Sequence, residues 1–276
     1  MAITNFIPQL WSARLLANLD KATVITLGAN TNYEGEIRNV GDRVKIQQPA
    51  DITINDYPSS GDITYEAPTS TTKTLSVDQD KYWAFTVDDL DAVQANVNLV
   101  DTYTQRAAVA IAEDIDNYIG SLYASQGAGD VSVDLTASSF DIYSTFVDAA
   151  LNLDKNNVPR AGRWAIVTPE VYASLLENDK FIKASDLGDQ VVTTGAVGQV
   201  AGMDILVSNN LTASQSGVYK NLYGTSESMT YARQLLGEPE ALRLEGRFED
   251  AIRGRLAYGA VVVEPDALGT ITSTQA

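Results

Sequence analysis

Two acidic clusters, a glycine-rich loop and a group of arginines are the places where this 276-residue chain could carry chemistry. Glu113, Asp114 and Asp116 fall inside a strongly helical pattern. Carboxylates two apart do not face each other on a helix, so the plainer reading is a solvated face. Asp88, Asp89 and Asp91 could offer oxygen ligands to a hard cation. Their spacing lacks the glycine turn and distal glutamate of a calcium loop, and helix N-terminal charge explains them more simply. Residues 195–202, GAVGQVAG, look superficially like a phosphate cradle, but Met203 stands where a P-loop has lysine. They read as a turn before a strand. Arg243, Arg247, Arg253 and Arg255 could form a basic patch for nucleic acid. Pairing with carboxylates across a subunit interface is the favoured reading, because arginine suits bidentate ion pairs.

Composition narrows the options further. The chain has no histidine and no cysteine. That excludes Ser-His-Asp hydrolases, thiolate chemistry, disulfides and His-based zinc sites. A carboxylate enzyme such as a glycosidase remains formally open, but nothing pairs two acids at the separation that chemistry needs. The net charge of −17 argues against salt-sensitive binding of nucleic acid over a broad surface. No apolar run approaches the ~20 residues of a membrane span. The first residues, MAITNFIPQLWSARLL, lack the features of a signal peptide, so a protein that stays in the cytoplasm is expected.

The elements around these residues suggest an α+β chain. Residues 1–48 carry a net +1, leaving −18 for the remainder, and read as an extended arm with a short helix near Trp11–Leu19. Residues 43–49 alternate as a strand ended by Pro49. A polar stretch follows, in which Ile63–Tyr65 and Thr74–Val77 read as the two strands of a long hairpin, too thin to stand alone. Residues 88–125 keep apolar steps of three and four and predict a spine helix with Asp88 and Asp89 at its N-terminal end. A second helix is expected over 139–155, with Phe140, Tyr143, Phe146, Val147, Ala150 and Leu151 on one face. A buried strand follows at Trp164–Thr168, with Thr168 as N-cap and Pro169 opening a short helix. Met203–Ser208 reads as the next strand, and several more run to residue 264.

Three segments together resemble the major capsid (coat) proteins of tailed bacteriophages, with their Hong Kong 97-like capsid fold. They are RAAVAIAEDID (106–116); NVP (157–159) with RWAIVTPEVY (163–172), GQVAG (198–202) and DILVSNNL (204–211); and FEDAIRGRLAYGAVVVEP (248–265). The resemblance implies residues 1–48 as an N-terminal arm and 49–80 as an extended loop over a neighbour. It implies a peripheral domain from 81–129 and 226–257, and an axial domain from 130–225 and 258–276. It implies no catalysis and no cofactor or metal. The implied assembly is an icosahedral shell of pentamers and hexamers around double-stranded DNA, bound without sequence specificity. A separate scaffolding protein, a portal and assembly in the host cytoplasm into a virion belong to the same picture. The contact candidates are Phe6 and Trp11 in the arm, Tyr65 and Lys73 in the loop, Arg160, and Arg243, Arg247 and Arg253. Lys73 lies where some family members cross-link, but no motif identifies a partner, and cross-linking is not carried over. A cargo-holding nanocompartment shell of the same fold is the alternative. Residues 78–116 carry a net −7, so a solvent-facing part of the spine is expected to face the packaged DNA.

Overall fold

The structure is a computed structural model that describes residues 23–33, 43–48, 52–56, 65–67, 69–88, 99–137, 140–178, 198–235, 240–243, 246 and 249–275. Two sheets and one long helix meet at a shared core. The first sheet is built on β12 (Glu249–Val262), a 14-residue strand. Along one edge of it lies β3 (Gln79–Asp88); along the other lie β10 (Met229–Leu235) and β11 (Glu240–Arg243), all antiparallel. β12 runs unbroken through the domain boundary expected at 257/258.

The second sheet is mixed. Its order is β4 (Asp130–Asp134), β13 (Leu268–Thr274), β9 (Val218–Thr225), β5 (Arg163–Val167), β7 (Met203–Val207) and β6 (Gln199–Val200), with β8 (Ala213–Gln215) also on β9. Every residue of β5 is buried, as its continuous apolar run requires of a strand covered on both faces. Its alternation divides it between two cores. Trp164 and Ile166 enter the core shared with the first sheet, while Ala165 and Val167 enter a separate one under the helices. The GQVAG motif is the β6–β7 hairpin. Ala201 and Gly202 both take positive φ, 49° and 79°, as a two-residue type I′ turn demands.

Helix α1 (Leu99–Gly120) spans about 33 Å at ~1.5 Å per residue. Ala108, Ala112, Ile115 and Ile119 are its buried stripe, at steps of four, three and four. The helix expected from residue 88 is corrected at both ends. Asp88 closes strand β3, so it does not cap the helix, and Ser121–Ser125 wind as a 3-10 turn. Asp89 and Asp91 lie outside the described residues.

Helix α2 (Ile142–Lys155) starts three residues later than expected, where Asp141 accepts a hydrogen bond from the Tyr143 amide at 3.2 Å. Its buried residues are Ile142, Thr145, Phe146, Ala149 and Leu153. Of the six residues expected on one face, only Phe146 is fully buried; Phe140, Val147 and Leu151 are exposed. Helix α3 (Pro169–Leu176) opens on Pro169 as expected, but Thr168 makes no side-chain cap. Its hydroxyl accepts from Gln275 Nε2 instead. The Thr168 amide is met by Asn221, a fully buried side chain that also donates to Ile271 O and Ser273 Oγ.

The hairpin expected between residues 63–65 and 74–77 pairs differently. β2 (Thr71–Ser76) runs antiparallel to β1 (Arg43–Gln48), with Gln48 opposite Thr71. Tyr65 is in no strand, and Ile63 and Thr64 lie outside the described residues. Val44, Ile46, Leu75 and Val77 pack with Ala232, Ala257 and Val263, which seats the β1–β2 ribbon on the first sheet. Gln48 Nε2 donates to Val263 O at 2.8 Å and ties down the ribbon's far end.

Candidate functional site

Beyond the closing pair Gln48–Thr71, residues 52–56 and 65–67 are the described legs of a loop and lie in no strand. Its two legs are joined where the Thr53 amide and hydroxyl both donate to Glu66, each at 3.0 Å. On these legs Ile54 is 97% exposed and Tyr65 90% exposed. Large apolar side chains held in the open make these legs a candidate contact surface. Lys73 sits lower, half-buried in β2 opposite Ile46.

A second apolar surface lies on the outer face of α2. Tyr143, Val147, Ala150 and Leu151 form the floor of a groove of about 450 Å³, closed on one side by the Ala201–Gly202 turn. Val147 and Leu151 are 41% and 46% exposed. The helix is therefore apolar on two faces, and its own core uses only one.

The rim of that groove is a fixed charge cluster. Arg163, its side chain 2% exposed, donates to Pro159 O, Val158 O, Ala150 O and Asp154 Oδ1. Arg160 grips the same carboxylate through Nε at 3.3 Å and Nη2 at 2.7 Å, while remaining 82% exposed. The hydrogen bonds from Arg160 and then Arg163 hold the Asp154 carboxyl below its ordinary range. Asp130 is also held low: burial opposes the shift, but Thr272, Thr270 and Lys220 outweigh it.

These depressed groups fix the sign of an acid response. A carboxyl with a lowered folded pKa contributes stability above its unfolded value, and that contribution is lost as pH falls through the folded one. The melting temperature is therefore expected to fall steeply below about pH 4. Asp154→Asn makes the fall shallower; an identical acid profile in that variant would remove Asp154 from the account.

The exposed face of the first sheet carries paired charges within the chain. Arg253 makes two bonds to Glu240, at 2.6 and 3.0 Å, and Arg255 grips Asp80 through both carboxylate oxygens. Arg253 and Arg255, expected to seek carboxylates across an interface, thus have partners on their own subunit. Arg243 stands in β11 opposite Asp250. Phe6, Trp11 and Arg247 lie outside the described residues.

The carboxylates of α1 are not one solvated face. Asp114 accepts from Tyr258 at 2.5 Å and pairs with Lys81 at 3.3 Å. Tyr118 donates to Asp78 at 3.0 Å; burial first, then the Asp78 carboxylate, pushes its pKa up to about 12. Asp116 is fully buried and accepts from the Val24 and Ile25 amides, each at 3.2 Å. Sequence reasoning missed it. Its place three residues before Ile119 and four after Ala112, on the apolar stripe, was the available signal.

Among the described residues no group of three or more acidic side chains is placed to hold a metal ion. No described helix is long and apolar enough to cross a membrane. What the site offers is surface: exposed apolar loop legs, an apolar groove with a rigid cationic rim, and a charged sheet face.

A family model described as phage capsid protein matches residues 71–271, well over half of the chain. The chain belongs to the phage capsid protein family. Solved structures agree with that membership. A protein of Mycobacterium phage Che8 is similar at 29% identity and a TM-score of 0.73, over 91% of this chain and 90% of that one. The capsid structure of cyanophage P-SCSP1u aligns at 16% identity and a TM-score of 0.71, over 87% and 85%. A virus-like particle from Pyrococcus furiosus shares the fold at 13% identity and a TM-score of 0.58, over 95% and 96%. No curated protein matches the chain. This phage capsid protein is α+β, and its family and fold are structural rather than enzymatic.

Proposed function

We propose that this capsid protein is the shell-forming subunit of a phage head, assembling with copies of itself into an icosahedral container for double-stranded DNA. One observation carries the reading. On a capsid fold, the loop legs and the second face of α2 present apolar side chains that no described part of the chain covers. A second copy supplies the missing cover. Residues 1–48 act as an arm and 49–80 as a loop over the neighbour. The β12 sheet with α1 forms the peripheral domain, and the β5 sheet with α2 and α3 forms the axial domain around fivefold and sixfold axes. Tyr65 and the α2 groove with Arg160 lie in contacts between copies, as do Phe6, Trp11, Lys73, Arg243, Arg247 and Arg253. A scaffolding protein and a portal assist assembly in the host cytoplasm, and the product is the virion shell. Acidic groups of α1 face the DNA and keep it mobile by repulsion.

The likeness to a virus-like particle favours one alternative, a nanocompartment shell whose cargo is protein. Negative-stain electron microscopy of the purified chain, with and without its scaffolding partner, tests both. Closed icosahedral particles are the expected result, and nucleic acid in particles from infected cells distinguishes the head from the compartment. A chain that stays monomeric with the partner present overturns the shell reading.

A further inference from the structure

Residues 24–30 cross the molecule where its parts meet. At one end, the Val24 and Ile25 amides donate to Asp116 on α1. In the middle, Gly28 lies flat on the Trp164 indole of β5, and a Cβ there would stand 2.7 Å from the ring. At the other end, the Asn30 amide donates to Met229 O, and Asn30 O accepts from the Tyr231 amide on β10. One short segment thus touches the helix, the second sheet and the first sheet in succession. Ile25 and Ala29 fill the core that Trp164 and Leu222 share with Met229 and Leu256.

The end at Asp116 is the weak one. Its carboxylate is fully buried and, among the described residues, has no cation beside it. It is held by two strap amides and the Asn210 side chain, all neutral. Neither the segment nor the loop carrying Asn210 presents a charge to it, and the sheets contribute Tyr231 and Tyr258 to the same core. A buried charge without a counter-ion is costly to keep, even when hydrogen-bonded.

We propose that residues 24–30 are a strap, latched by Asp116, whose release lets the two sheets change their angle while each stays folded. Burial raises the Asp116 pKa above its ordinary value and outweighs the hydrogen bonds to Val24, Ile25 and Asn210, which lower it. A carboxyl whose pKa is raised by closure takes up a proton more readily in the closed form. Acidification therefore tightens the strap, and deprotonation loosens it. This is opposite in sign to the response of Asp154 and Asp130. The strap needs only the fold. That subunits in a shell use it to fit non-equivalent positions rests on the shell reading, which microscopy tests separately.

The test is made on the dispersed full-length chain. With no native cysteine, Ala84→Cys on β3 and Ser132→Cys on β4, both exposed, take one spin label per sheet. Amide exchange is followed on the same protein without labels. In the wild type, protection of the Val24 and Ile25 amides is expected to rise as pH falls from about 7 towards the ordinary carboxylate value of about 4, with β12 and β13 unchanged. In Asp116→Asn that pH dependence disappears. In Asp116→Ala, strap protection is lost and the interlabel distance distribution broadens, while β12 and β13 stay protected. Should Asp116→Ala fail to fold, Gly28→Ala displaces the strap from Trp164 without touching the carboxylate. Its expected result is a broadened distribution with the pH response retained. Strap amides that open only together with β12 and β13, or a distribution that stays narrow once strap protection is lost, overturn the proposal. So does strap protection that is constant or falling with acid.

Discussion

A chain carrying Val147→Asp and Leu151→Asp is expected to fold normally and to form no particles. The two side chains are 41% and 46% exposed in the subunit, so its melting temperature barely moves, matching a change within about 0.5 kcal/mol. On the proposed shell reading, both positions sit against a neighbour. Two carboxylates buried there without partners cost several kcal/mol at each of many repeated contacts. Arg160 does not rescue them, because its guanidinium is already committed to Asp154 through two hydrogen bonds. Circular dichroism and sedimentation read the two halves of the prediction separately. Particles at wild-type yield would take the outer face of α2 out of the interface and leave the loop legs as the principal apolar contact.

Gly259→Ala is expected to destabilise the subunit by about 3 kcal/mol, read as a lower denaturant midpoint, and to lower particle yield with it. Gly259 lies in β12 directly beneath the ribbon. A Cβ there would overlap the Ser76 carbonyl oxygen and stand 2.9 Å from its carbon and 3.0 Å from Val77 Cα. All three neighbours are backbone, so no rotamer relieves the clash. Either β12 bends or the ribbon lifts off Ala232, Ala257 and Val263, which opens the small core at its base. Gly246→Ala has open space around its Cβ and serves as the control, with no change expected. A Gly259→Ala protein as stable as the control would mean that the ribbon shifts freely on its seat.

Much of the fold was legible because local pattern and burial agreed. β5 could be read from an unbroken apolar run, and the stripe of α1 from its steps of three and four. The ribbon was harder. Its strands are separated by the whole loop, Gln48 pairing with Thr71, so no turn residues advertise the register. Helix α2 misled because it is apolar on two faces, and sequence alone does not say which face the fold keeps. The surplus that spoiled the assignment lines the groove on the outer face of α2. Asp116 was misread by its residue type, since a carboxylate on an apolar stripe becomes intelligible only when two backbone amides from residues 24 and 25 arrive to meet it. The arginines of β12 were recognised as pair-forming, but choosing Glu240 and Asp80 required the cross-strand register.

Strand β12 also works as a mechanical joint. Gly259 bears the ribbon, and the adjacent Tyr258 holds the spine helix through its hydroxyl on Asp114. A load on the β1–β2 ribbon therefore meets its seat and the helix anchor one residue apart on a single extended strand. At residue 259 there is no side chain to give, so the load passes as backbone against backbone. The Tyr258–Gly259 step thus couples the ribbon's seat to the helix anchor.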